Sequence, residues 1–194
     1  YHCKKTDTLT LHHVDDGRIT GTHEGMSQLI QHLGMSLLLK VSKSLGLGDS
    51  YKYLGRKYYR IEDGWVKMPD GKIVEKVLDS LFGDHKPTSV VATPSVKRCA
   101  DPADYETGLA DKTGYRSNTG ALMYYATDIE VLAYPTKELA RGMHEPTEGH
   151  MKNLTRLGRF LVGKENWVVE HRMHRPNGKK RILTITGDSD CAGD

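Results

Sequence analysis

Along the chain, hydrophobic and polar positions fall into short segments whose period changes. Thr8-Leu9-Thr10-Leu11-His12-His13-Val14 alternates apolar and polar residues, the period of a half-buried strand. Asp15-Asp16-Gly17 then supplies turn chemistry and Arg18-Ile19-Thr20 leads the chain back, so a β-hairpin is predicted with two carboxylates at its tip. Between residues 24 and 33, Met26, Leu29, Ile30 and Leu33 recur at helical spacing. Strand-like runs follow at 36–41 and 51–61, with a short one at Trp65-Val66-Lys67. Val74, Val77, Leu78 and Leu81 mark another amphipathic helix, which Gly83 stops.

Residues 84–114 differ in kind. His85-Lys86-Pro87-Thr88, Ala92-Thr93-Pro94 and Ala100-Asp101-Pro102 set three prolines among polar residues, which predicts an extended linker. Helices are expected near 115–127 and 128–143, the second interrupted by Pro135. A cleaner helix runs from the cap Thr147 to Gly163. Its apolar face is Met151, Leu154, Leu157 and Leu161, and Lys152, Arg156 and Arg159 project from another side. Last, Trp167-Val168-Val169 and Ile182-Leu183-Thr184-Ile185 flank Pro176-Asn177-Gly178 as a hairpin. The fold class is α+β.

Composition narrows the possibilities. Across 194 residues, 37% are hydrophobic and 27% charged, ordinary for a folded chain. With two Phe and two Trp, a core must rest on Leu, Val, Ile and Tyr. No apolar run reaches the roughly 18–20 residues that span a bilayer, and Tyr1-His2-Cys3-Lys4-Lys5 is no signal peptide. A membrane partner is not expected. Cys3, Cys99 and Cys191 are odd in number, far apart and without a Cys-x-x-Cys pair, which speaks against a disulfide framework or a zinc ribbon and for a reducing, intracellular setting. The chain begins without Met and ends just after a strand-like run, so it is expected to be part of something longer.

Charge is unevenly spread. Residues 150–181 hold nine Lys or Arg against Glu165 and Glu170, a net of +7. The last thirteen residues carry Asp188, Asp190 and Asp194 with no base, a net of −3. A basic band beside an acidic cluster suits a polyanion whose chemistry needs cations, although a solvated helix face with a charged hairpin has the same composition. Adjacent aspartates at a turn repel each other and are comfortable when solvated or bound to cations. Paired carboxylates at a strand end are one way to build a phosphoryl-transfer site with two Mg²⁺ ions about 4 Å apart. An Asp-Asp-Gly turn on its own is more often an exposed reversal. His12-His13 with Cys3 lacks metal-ligand spacing, and His144 and His150, six apart around Pro146, read as loop and helix-start residues rather than ligands.

The order of motifs adds context. His13-Val14-Asp15-Asp16 resembles the Tyr-x-Asp-Asp hairpin of reverse transcriptases, and Tyr53-Leu54-Gly55-Arg56 resembles the Leu-Gly strand that follows the palm in copia-type retrotransposon polyproteins. Lys86-Pro87 and Thr93-Pro94 resemble that family's proline-bearing connection. Tyr115-Arg116-Ser117-Asn118-Thr119-Gly120-Ala121-Leu122-Met123-Tyr124 is similar to its Tyr-Arg-Ser-x-x-Gly-x-Leu-x-Tyr block, and Asp128-Ile129 to its Arg-Pro-Asp-Ile. Pro146, His150 and residues 156–163 resemble the next block. Asp188-Ser189-Asp190-Cys191-Ala192-Gly193-Asp194 resembles the Asp-x-Asp-Trp-Ala-Gly-Asp that opens the ribonuclease H domain. The sequence departs from the family at His13 for Tyr, at Ala126-Thr127 for Arg-Pro and at Cys191 for Trp.

The resemblance implies a partial reverse-transcriptase palm and thumb-like region over 1–83, a linker over 84–114, a helical connection over 115–163, and the first strands of a ribonuclease H-like sheet over 164–194. It implies RNA-directed DNA synthesis in which Asp15 and Asp16 are two of three polymerase carboxylates and hold Mg²⁺ or Mn²⁺. Asp188 becomes the first metal-binding aspartate of ribonuclease H. The third palm carboxylate and the other ribonuclease H acids are expected outside residues 1–194, so the chain alone is expected neither to extend a primer nor to cleave a hybrid. Implied partners are an RNA template, a DNA primer, the RNA–DNA hybrid, deoxynucleoside triphosphates and the rest of the Pol polyprotein, in a cytoplasmic particle or the nucleus. Lys152, Arg156 and Arg159 are candidate contacts to duplex phosphates. The alternative is a non-catalytic nucleic-acid-binding remnant of a decayed element.

Overall fold

The computed structural model describes residues 1–85, 87–96 and 99–172. Among them, two antiparallel sheets and five α-helices form a mixed α and β architecture. The first sheet orders β1 (His2–Cys3), β2 (Thr8–His13) and β3 (Asp16–Gly21) as consecutive neighbours. Thr22 caps α1 (His23–Gly34), its hydroxyl accepting the Gly25 N–H at 3.1 Å. Helix and hairpin approach so closely at Gly25 that a Cβ there would lie 2.0 Å from the Thr6 carbonyl oxygen. Only glycine fits.

Residues 36–49 contain no strand, which corrects the expectation for 36–41. A strand needs a ladder partner and a covered face, and the described residues give Leu37, Leu38 and Leu39 neither; all three are exposed. The 51–61 run is also corrected: it is two strands, β4 (Ser50–Tyr53) and β5 (Arg56–Ile61), around a Leu54-Gly55 reversal. Both turn residues have positive φ, 50° and 75°, the pattern whose twist matches a tight hairpin. β6 (Gly64–Met68) and β7 (Val169–Arg172) complete the second sheet in the order β4-β5-β6-β7. Thus the strand expected to open a ribonuclease H-like sheet pairs, among the described residues, with β6. Its expected partner at 182–185 lies outside the described residues, as does the 176–178 turn.

The core is helical. α2 (Lys72–Phe82), α3 (Lys112–Ala126), α4 (Ala133–Arg141) and α5 (Glu148–Leu161) bury Val74, Val77, Leu78, Tyr115, Leu122, Leu154, Leu157 and Leu161 almost completely. Gly83 ends α2 and Thr147 precedes α5, as the pattern predicts. The second expected helix is corrected: a 3₁₀ turn, Glu130–Leu132, precedes α4. Pro135 sits in the first turn of α4, where its missing N–H costs nothing, so it starts a helix rather than interrupting one. The proline-rich connection is largely irregular, with a 3₁₀ turn at Pro102–Tyr105, and it lies along α5 as a strap.

Candidate functional site

The acidic hairpin reverses one residue earlier than predicted. His13 pairs with Asp16, leaving Val14 and Asp15 as the two turn residues. Val14 takes φ = 55°, a left-handed conformation that a β-branched residue rarely adopts, and its side chain is 93% exposed. Left-handed backbone at a non-glycine residue clusters at functional sites. Asp15 closes the turn and Asp16 begins β3. Both are exposed, and neither side chain makes an ion pair or hydrogen bond among the described residues. No group of three or more His, Cys, Asp or Glu side chains gathers there or elsewhere in the described residues, which includes Cys3, His12 and His13. Asp188 lies outside the described residues.

The three α5 cations face the strap. Lys152 Nζ donates to Asp104 Oδ1 at 2.6 Å, Arg156 Nη2 to the Thr93 hydroxyl at 3.0 Å and Arg159 Nη2 to the Ser89 hydroxyl at 3.0 Å. The hydrogen bond to Lys152 holds the Asp104 carboxyl below its ordinary pKa. Helix periodicity places cations on a face but carries no information about what crosses it. The strap takes one donor from each of these side chains.

A second charged cluster has a signal in the sequence that pattern reading left without a role: Asp128 of the family-like block. The Asp128 carboxylate, 6% exposed, accepts from Arg56 Nε with both oxygens at 2.8 and 2.7 Å. Lys67 Nζ adds a third contact at 3.2 Å. Burial works against the Arg56 charge, but Asp128 outweighs it and holds the guanidinium pKa above its ordinary value. Arg56 also donates to the Leu54 carbonyl at 3.0 Å and lies 5.2 Å above the Tyr124 ring. Thr127, where the family-like pattern has Pro, accepts from Arg56 Nη2 at 3.3 Å. An open groove of about 430 Å³ beside this cluster is lined by Lys67, Asp128, Ile129, Trp167 and His171, among others.

The rest of the Tyr115–Tyr124 block is structural. Tyr115 is fully buried, donates its hydroxyl to the Leu139 carbonyl at 2.7 Å, and has its phenol pKa pushed up to about 12 by burial. Arg116 donates to the carbonyls of Met143 and His144, both at 2.7 Å, and Asn118 donates to Ser80 at 3.0 Å.

The chain is 28% identical over 191 residues to the retrovirus-related Pol polyprotein from transposon RE1 of Arabidopsis thaliana, covering 98% of this chain and 12% of that polyprotein. It is 34% identical over 182 residues to the corresponding polyprotein from transposon RE2 of the same plant, covering 94% of this chain and again 12% of the relative. It is 26% identical over 183 residues to the uncharacterized mitochondrial protein AtMg00810 of A. thaliana, covering 93% of this chain and 70% of that protein. No protein-family model and no solved structure matches the chain. No helix among the described residues is long and apolar enough to cross a membrane. Over nearly its whole length the chain is similar to retrovirus-related Pol polyproteins from transposons, and it spans about an eighth of their length, as a fragment of such a polyprotein would.

Proposed function

We propose that the chain is the part of an RNA-directed DNA polymerase that runs from the palm's acidic hairpin, through a thumb-like region and the connection, to the ribonuclease H domain. In this reading Asp15 and Asp16 are two of the polymerase carboxylates. The observation that carries it is the hairpin itself: adjacent carboxylates, free of ion pairs among the described residues, presented by a reversal with a strained, exposed Val14. Two hard oxygen donors suit Mg²⁺ or Mn²⁺. Bound there, such ions would activate the primer 3′-oxygen and neutralise charge on the incoming deoxynucleoside triphosphate. The chain's own contribution is to hold two negative charges side by side, so that a cation relieves their repulsion. Asp188 and its ribonuclease H role belong to the same reading, as do RNA template, DNA primer and their hybrid as partners.

Mn²⁺ titration followed by electron paramagnetic resonance tests it. The chain is expected to bind Mn²⁺ weakly, with a dissociation constant on the order of 1 mM for a site with few charged ligands. Asp15→Asn and Asp16→Asn are each expected to weaken binding. Equal binding by the parent and the Asp15→Asn/Asp16→Asn double variant overturns the reading.

A second reading, a nucleic-acid-binding remnant without catalysis, draws on the observation that no third carboxylate joins the pair among the described residues. Its mark is hybrid affinity that falls with salt and ignores both aspartate substitutions.

A further inference from the structure

We propose that Arg18 is a positioning residue: it docks the acidic hairpin onto the β4–β6 sheet and fixes the direction in which Asp15 and Asp16 are presented. The proposal rests on the metal-binding reading of those carboxylates for its consequence, and on geometry for the docking.

Arg18 lies on β3 two residues after Asp16 and opposite Leu11. Strand alternation puts Asp16 and Arg18 on one face of the hairpin, while Ile19 shares the other face with Thr8 and Thr10. The Arg18 guanidinium sits 5.1 Å from the Tyr51 ring centroid, 5.2 Å from Tyr58 and 5.6 Å from Trp65. Each ring comes from a different strand of the second sheet. Tyr51 and Tyr58 are register partners stacked at 5.0 Å with planes 13° apart, and Trp65 meets Tyr51 edge-on at 6.0 Å and 90°. The rings thus form a preset three-walled recess, and a planar, weakly hydrated guanidinium fills it better than an ammonium would.

Two further facts give the contact its weight. Arg18 has no carboxylate partner among the described residues, so nothing there competes with the rings for its charge. Among the same residues, no hydrogen bond or ion pair joins the first sheet to the second. Chain connection between them runs through 35–49, which holds no helix or strand. Residues 45–49 are hydrogen-bonded to Arg60 of β5, and the Arg18 side chain, two residues from Asp16, ties the hairpin itself to the second sheet.

The test uses the full chain with Cys3, Cys99 and Cys191 changed to Ser and spin labels at His12→Cys and Lys52→Cys, one exposed site on each sheet. Pulsed electron paramagnetic resonance is expected to give one narrow distance for the parent, a broad distribution for Arg18→Gln and an intermediate one for Arg18→Lys. Far-ultraviolet circular dichroism checks that the helical core is intact. Should Arg18→Gln fail to fold, Trp65→Leu makes the same test from the sheet side. A distribution as narrow in the removal variant as in the parent overturns the docking.

Mn²⁺ titration of the same proteins separates the two ideas. Severalfold weaker binding in Arg18→Gln, partly restored in Arg18→Lys, supports positioning. Unchanged Mn²⁺ affinity beside a broadened distance overturns the positioning role. A parent with a narrow distance and no Mn²⁺ binding refutes the metal reading and leaves the docking standing.

Discussion

Asp128 shows how one buried carboxylate can join distant parts of a sequence. It accepts from Arg56 on β5 and Lys67 on β6, at the point where α3 ends, so strand and helix meet across a separation of 72 residues. With side chains 6% and 17% exposed, this pair is screened less by solvent than most surface ion pairs. Removing the acid leaves two cations in a poorly solvated site. Asp128→Ala is therefore expected to lower stability by about 3 kcal/mol in urea denaturation. An apolar double replacement, Asp128→Leu with Arg56→Met, should recover part of that loss, because it removes the stranded guanidinium too. A loss well under about 1 kcal/mol for Asp128→Ala would show the pair to be solvated.

At the scale of an element, α5 carries both a cap and a cover. Its first turn is closed by His150, whose Nδ1 accepts the Thr147 N–H at 3.1 Å and meets the Thr147 hydroxyl at 2.8 Å. Accepting at Nδ1 requires the neutral imidazole with its proton on Nε2. Burial against Tyr105 and Tyr115 also lowers the His150 pKa below its ordinary value. The unfolded chain thus binds this proton more readily than the folded one. The cap's contribution is fully present above the ordinary imidazole pKa of about 6.5 and is lost as pH falls through the lowered folded value. Thermal melts are expected to show midpoints falling between pH 7 and pH 5. The fall should be shallower in His150→Gln, since glutamine at this position keeps the reciprocal cap without titrating. Parallel pH profiles for parent and variant would remove His150 as the cause.

The whole molecule is unevenly consolidated. Its buried hydrophobic residues lie almost entirely in α2–α5 and the segments around them, and the second sheet adds Tyr53. The first sheet buries Thr8 yet leaves Leu9 and Leu11 more than half exposed, and the chain after α1 exposes Met35, Leu37 and Leu38. Apolar side chains exposed at neighbouring positions, as at Leu37 and Leu38, favour association. Sedimentation velocity of the purified chain is expected to show concentration-dependent self-association that Leu38→Lys reduces, with the helical core's melting unchanged. Identical sedimentation of the two proteins would place the association elsewhere.

Local patterning determined a good part of this protein. Apolar spacing placed α1, α2 and α5, Thr147 and Gly83 marked helix ends, and alternation with turn residues found the acidic hairpin, because each of these depends on neighbours within a few positions. Motif order pointed to the polyprotein relatives for the same reason: it is a property of the chain read in one dimension. Other features needed partners far along the chain. Leu54 at the first turn position gives no hairpin signal, and the 36–41 run looks like a strand until its missing ladder is seen. The α5 cations meet a strap that nothing local in the sequence reveals. The Asp128 clamp and the aromatic recess around Arg18 exist only in three dimensions, since charge and ring contacts depend on distance through space rather than along the sequence.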